Sequence, residues 1–259
     1  MSSSAPVLWT PLCDRLGSRY PLLAATSKDA DQDLAIVAAG ACPARAPGAE
    51  GLQHATSLLA AQQAQLQGAR LLAVPVGLLA SCRELVSLPL LVALDVGADD
   101  PLPLEQIIAL ARQQLNNGAQ GLLLPPQLLA QAEWVAELVR ALAADETDEA
   151  NASDTDRSSP VCYLQQFDED RQQRLALSEP LQALLQRARQ DSYQCAALLL
   201  QVGPACSDLQ ALHAAHCENV MRLCNLLRRL QLRVPTPPPR PISPPTLRGT
   251  AAATPPAAS

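Results

Sequence analysis

Leu88-Pro-Leu-Leu-Val-Ala-Leu-Asp-Val-Gly97, followed by Ala98-Asp-Asp-Pro101 and then by Leu104–Leu115 (LEQIIALARQQL), decides the fold. The first piece is a short apolar run bounded by Pro and Gly, without the alternation of a half-exposed strand. That suits a strand of a parallel sheet covered on both faces. The second places Leu104, Ile107, Ile108, Ala111 and Leu115 on one helical face. Asp100, Pro101 and Pro103 mark the helix start, and Gly118 supplies the permissive residue after its end.

The same unit recurs outward from this point. Arg70–Gly77 (RLLAVPVG), Gly118–Pro125 (GAQGLLLP), Pro160–Gln165 (PVCYLQ) and Cys195–Gly203 (CAALLLQVG) read as further buried strands, with Leu34–Gly40 (LAIVAAG) a weaker sixth. Gln127–Ala143 repeats the helical pattern through Leu128, Ala132, Val135, Val139 and Leu142. Ser178-Glu-Pro is a helix-start signal, with an N-cap oxygen, an early carboxylate and Pro in the first turn. Strands alternating with helices make the class α/β, a partial or degenerate TIM-barrel-like parallel sheet with flanking helices. Residues 1–20 form a lead, 21–203 the barrel-like domain and 204–233 an amphipathic C-terminal helix. Asp145–Arg157, with six carboxylates, reads as an acidic surface loop inside that domain. Val234–Ser259 holds nine prolines and reads as an extended, disordered tail, although Pro237–Pro241 could enter a Pro-recognising groove.

Composition removes several functions. Aromatic residues make up 2% of the 259, too few for base-stacking platforms, and a net charge of −6 opposes general nucleic-acid binding. No run reaches the roughly 18 apolar residues of a membrane span, and Met1–Thr10 lacks the regions of a secretory signal. The expected setting is soluble and intracellular, cytoplasmic and also nuclear. Eight cysteines without any C-x-x-C pair read as small buried groups in a reducing compartment.

Four segments, in order, resemble the N-terminal TIM-barrel domain of the type II (symmetric-dimethylating) protein arginine methyltransferases. Asp33–Gly40 with Leu66–Leu78 resembles an early strand and the following helix-to-strand passage. Leu91–Leu102 (LVALDVGADDPL) resembles the strand ending in a carboxylate, and Gly121–Leu129 (GLLLPPQLL) the next short strand with its Pro. Leu177–Gln194 resembles the Ser-Pro-Leu-Gln helix that ends near a Tyr. The resemblance implies a regulatory barrel that makes dimer contacts and docks a WD-repeat adaptor. The family's cofactor, S-adenosylmethionine, needs a strand, a Gly-rich turn and an acidic residue at the next strand end. Leu198–Leu209 offers one Gly followed by Pro204, and the family's paired glutamates have no counterpart. No catalytic, cofactor-binding or metal residue is therefore assigned to this chain. An alternative is a flavin-dependent barrel oxidoreductase: Leu16–Ala25 (LGSRYPLLAA) resembles the opening strand of nitronate monooxygenases, and Ala38-Ala39-Gly40 their early helix.

Few residues could carry chemistry. Cys206, His213, His216, Cys217 and Cys224 form one metal-like group, in which His213 and Cys217 at i, i+4 could share a zinc. Beside them run Leu209, Leu212, Val220, Leu223, Leu227 and Leu230, so the simpler reading is packing, with the helix docking on the barrel or on a partner helix. Asp95, Asp99 and Asp100 follow a strand end, where α/β barrels place catalytic groups, but two of them also suit a helix cap. Glu133, Glu137 and Arg140 read as a solvated face, and His54 as the start of a helical stretch. Fewer than eight strands leaves open sheet edges that invite pairing.

Overall fold

The computed structural model describes residues 8–24, 30–45, 49–94, 102–144, 164–203 and 205–239, with the backbone alone for 144 and 164–174. A short helix, α1 (Pro11–Leu16), precedes strand β1 (Leu22–Ala24). Helix α2 (Ala30–Ala38), strands β2 (Cys42–Pro43) and β3 (Leu52–His54) and helix α3 (Leu58–Leu66) follow. Then come β4 (Leu71–Pro75), α4 (Leu79–Leu85), β5 (Leu90–Ala93), α5 (Leu104–Asn116) and β6 (Gly121–Leu124). The chain continues as α6 (Pro126–Leu129), α7 (Ala132–Ala144), α8 (Leu164–Val202) and α9 (Ser207–Arg229).

The strands form one parallel sheet in the order β2-β1-β6-β5-β4-β3. From β3 to β6 every crossover moves one place in the same direction, and the step from β1 to β2 has that direction too. Right-handed crossovers that always step one way leave the crossover helices on one face. The sheet curls with its helices outside, a half-barrel in which the first strand pairs with the last: Leu22, Leu23 and Ala24 stand opposite Leu122, Leu123 and Leu124.

Alternate strand residues serve two cores. Leu22, Ala24, Leu72, Val74, Leu90, Val92, Leu122 and Leu124 point outward and meet Ile36 of α2, Cys82 and Leu85 of α4 and Ile107 and Ala111 of α5. Leu23, Leu71, Ala73, Leu91 and Leu123 belong to a separate concave core completed by Leu12 and Leu16 of α1. Helix α1 thus plugs the N-terminal end of the curled sheet. Thr10 fixes it there, its hydroxyl donating to the Gln120 carbonyl at 2.7 Å. Gly17, at φ 62°, turns the chain out of α1 toward β1 in a left-handed conformation that glycine adopts without strain.

Three expected strands, Arg70–Gly77, Leu88–Gly97 and Gly118–Pro125, contain β4, β5 and β6. Cys195–Gly203 is helical instead, the end of α8, because Ser192, Tyr193, Ala196 and Leu199 continue one buried helical face through it. An apolar run carries no period of its own, and the face upstream decides it. Leu34–Gly40 lies largely in α2, where Ile36 is buried while Leu34 and Val37 are exposed. Of Pro160–Gln165, residues 160–163 lie outside the described residues, and Leu164 and Gln165 open α8. Ser178-Glu-Pro does not start a helix but sits within α8. Gln127–Ala143 is split between α6 and α7. His54 ends β3, and the helix begins after Ser57, whose hydroxyl accepts from the Ala60 amide at 3.1 Å. The acidic loop 145–157 lies outside the described residues, as do 240–259 of the Pro-rich segment.

Gly121 lets α1 approach the sheet. A Cβ there would stand 2.7 Å from a Leu91 methyl, 2.8 Å from a Leu12 methyl and 2.8 Å from the Pro21 carbonyl. Gly121→Ala should cost about 1–3 kcal/mol, the usual toll of overpacking. Urea unfolding measures it, and an unchanged midpoint would show that α1 is not seated against β6.

Candidate functional site

Most of the buried polar side chains among the described residues, Gln62, Glu84, Arg189, Ser192 and His213, converge where the α8–α9 hairpin meets α3 and α4. Helix α8 ends at Val202 and α9 begins at Ser207, with Gly203 between them at φ 80°. Helix α9 buries His213, Cys217, Val220, Cys224 and Leu227, spaced four and three apart along one face. Helix α8 buries Leu185, Arg189, Ser192, Tyr193, Ala196 and Leu199.

Two polar clusters sit in this junction. In the first, Gln62 of α3 donates from Nε2 to the Ser192 hydroxyl at 2.8 Å, and Ser192 donates to the Arg189 carbonyl at 2.8 Å. That direction fixes the amide, so Gln62 Oε1 accepts from His213 Nε2 at 2.7 Å. The Cys217 sulfur lies 3.6 Å from the same ring nitrogen and 3.9 Å from Nδ1. Burial, then His216, holds the His213 pKa below the ordinary 6.5, so the ring is neutral.

The second cluster centres on Arg189, which is 0% exposed. Its Nε donates to the Glu84 carbonyl at 2.8 Å, Nη1 to the Pro235 carbonyl at 2.7 Å and Nη2 to Glu84 Oε2 at 3.4 Å. Glu84 also accepts from the Cys224 thiol at 3.2 Å and pairs with Arg228. Burial lowers the Arg189 pKa, and the neighbouring Cys224 and Glu84 oppose that shift. Helix α4, both hairpin helices and the segment after α9 therefore meet at one guanidinium. That segment lies against the fold through 239. Gln182 holds the Arg233 carbonyl at 3.2 Å and Gln65 the Pro239 carbonyl at 3.4 Å. The first residues of the Pro-rich stretch, 234–239, are thus anchored to the fold through backbone carbonyls.

The group Cys206, His213, His216, Cys217 and Cys224 is divided. His213, Cys217 and Cys224 face the core, Cys206 is exposed and His216 is half-buried. Among the described residues no three His, Cys, Asp or Glu side chains stand close enough to hold a metal ion. Burial pushes the Cys217 thiol up to about 12, and burial followed by Glu84 does the same for Cys224. Burial raises Cys82 to about 11. Such thiols stay protonated and act as packing groups rather than nucleophiles. Of the expected apolar stripe, Val220 and Leu227 are buried while Leu212 is exposed. The buried face shares Val220 and Leu227 with that stripe and otherwise runs through His213, Cys217 and Cys224.

Glu133, Glu137 and Arg140 are exposed on α7. Asp95, Asp99 and Asp100 lie outside the described residues. At the C-terminal ends of β4 and β5 is a cavity of about 320 Å³ whose described lining includes Pro75, Val76, Gly77, Ala93, Leu94 and Ile107. Among the described residues that lining is apolar. Sequence reasoning missed Gln62, Glu84, Arg189 and Ser192. Arg189 left one trace, a charge at the heart of a face otherwise made of Leu185, Ala188, Tyr193 and Ala196. No protein-family model matches the chain, and comparisons with curated proteins and with solved structures find no similar protein.

Removing Arg189 would strip the buried Glu84 of a partner and leave two carbonyls without donors. Arg189→Ala should destabilise the fold by about 3–5 kcal/mol, and Arg189→Lys should recover only part, because an ammonium cannot reach all three acceptors. Chemical denaturation of both variants checks this. Stability should also fall with acid: below 6.5 the unfolded chain takes up a proton that folded His213 refuses, so the folded state loses at most about 1.4 kcal/mol per pH unit. Melting at pH 7.5 and 5.5, with His213→Gln as the variant that should flatten the dependence, measures the effect.

Proposed function

We propose that the chain is a protein-binding module on a degenerate TIM barrel, of the kind that docks partners in symmetric arginine methyltransferases. Its own residues bind partners rather than S-adenosylmethionine. The winding carries this reading. Strands succeed one another around a curl in which β1 pairs with β6, as in a barrel with strands left out, and the chain then leaves the sheet for a helical hairpin. The resembling segments support it in part: Leu66–Leu78 ends through β4, Leu91–Leu102 opens in β5, Gly121–Leu129 holds β6, and Ser178–Tyr193 is helical in α8. Asp33–Gly40, likened to a strand, is largely helix α2. The compartment this reading requires is cytoplasm or nucleus, which suits the free thiols of the described cysteines.

One observation favours the flavin-dependent reading. Strand β1 directly follows Tyr20-Pro21 and α2 ends at Ala38, the placement that the likeness to nitronate monooxygenases requires. Against it stands the apolar lining of the cavity at the strand ends, which offers a flavin phosphate no charged partner among the described residues.

Calorimetric titration with S-adenosylmethionine should give no saturable heat, and the purified protein should show no flavin absorbance. Co-expression with a WD-repeat adaptor should yield a stoichiometric complex. Saturable cofactor binding, a yellow protein, or failure to bind either an adaptor or a methyltransferase subunit would each overturn the reading.

A further inference from the structure

We propose that the segment 234–240 is a ligand for a partner's SH3-type domain, one that reads Pro-x-x-Pro-x-Arg, and that the fold keeps its binding face covered until such a domain draws it off. The stretch reads Val-Pro-Thr-Pro-Pro-Pro-Arg, so Pro235, Pro238 and Arg240 stand at the spacing such domains select. Proline fixes φ near about −65° at 235, 237, 238 and 239. Val234, Thr236, Pro237 and Pro238 each precede a proline, which turns them away from helical backbone. Such a chain is a polyproline II ribbon of about three residues per turn. Exposure along it follows that period. Arg233, Thr236 and Pro239 are exposed, whereas the pairs Val234–Pro235 and Pro237–Pro238 are half-buried. Val234 packs against the main core. The two apolar-Pro pairs are the face that a Pro-x-x-Pro reader takes, and they are the face turned inward.

The fold grips this segment by its backbone. Gln182 donates to the Arg233 carbonyl at 3.2 Å, Arg189 to the Pro235 carbonyl at 2.7 Å and Gln65 to the Pro239 carbonyl at 3.4 Å. A polyproline II backbone makes no hydrogen bonds of its own, so its carbonyls are free for such donors. The rings are held less closely. A groove of about 350 Å³ remains between Thr236, Pro237 and Pro239 and the N-terminal ends of β5 and β6 at Ser87, Leu88 and Gln120. No aromatic ring stands among its described residues, whereas domains that read proline pairs do so with aromatic-lined grooves. A partner therefore offers the rings what the fold does not, and the three carbonyl bonds set the resistance it must overcome. A slip of the segment would leave the Arg189 guanidinium covered and unpaired, but full withdrawal uncovers it. The Arg189–Pro235 bond is part-buried, and Nε and Nη2 stay on Glu84. The inference does not depend on the methyltransferase-like reading, because the partner recognises proline and not the barrel.

Titration calorimetry of the full chain with a purified SH3 domain that selects Pro-x-x-Pro-x-Arg tests the inference. Covering a ligand lowers its affinity by the fraction of molecules in which it is free. Gln65→Ala combined with Gln182→Ala removes two of the three anchors and should tighten binding at least about tenfold over the wild type. Pro235→Ala with Pro238→Ala, added to that variant, should abolish binding. A released variant that binds no more tightly than the wild type, or not at all, overturns the proposal. So does binding that survives the loss of both prolines. Gln65 also accepts from the Ser87 amide at 3.0 Å. If circular dichroism shows the released variant misfolded for want of that bond, Gln182→Ala alone decides, with an expected gain of about threefold.

Discussion

The guanidinium of Arg189 stands where separate parts of the chain have to agree. It lies at the middle of α8, and its acceptors come from the C-terminal end of α4 and from the stretch beyond α9. Burying such a group is expensive unless each of its donors is used. The arrangement tolerates no small shift: a turn's rotation of α8, or a slip of the following segment, would leave a desolvated charge without partners. Glu84 answers from the other side, shared among Arg189, Arg228 and the Cys224 thiol. This cluster adds orientation to a hairpin that apolar packing alone could seat in several registers.

The curl of the sheet follows from winding and needs no special residue until its closed end. Single-step crossovers put the crossover helices outside and leave a concave face that water would otherwise enter. Helix α1 fills it with Leu12 and Leu16, and Gly121 gives them room. The edges are short: β2 has two residues and β3 three, which limits the row of unpaired backbone groups they offer.

The sequence announces β4, β5 and β6 because each is four or five residues of continuous Leu, Val and Ala between Gly or Pro. Helix α5 is equally legible, since Ile107 and Ala111 recur on one face. The first three strands leave no such mark, because two or three residues carry no period. Cys195–Gly203 misleads for the opposite reason: its unbroken apolar run hides the helical phase that Ser192 and Tyr193 set upstream. Of the Cys and His group read as packing, His213, Cys217 and Cys224 are buried, while His216 is half-buried and Cys206 exposed. The polar partners of the buried three are not legible, because Gln62 and Glu84 lie more than a hundred residues away and nothing local distinguishes them from surface side chains.

The thiols give the fold a built-in reporter. Among the described residues Cys206 alone is exposed, at the tip of the hairpin, while Cys13, Cys42, Cys82, Cys195, Cys217 and Cys224 are enclosed. A slow alkylating reagent would mark the tip first and reach the rest only as helices part, in an order that follows how each region opens. The enclosed sulfurs are spread over the concave core, the helix layer and the hairpin seam, so the labelling pattern would record which layer loosens before the others.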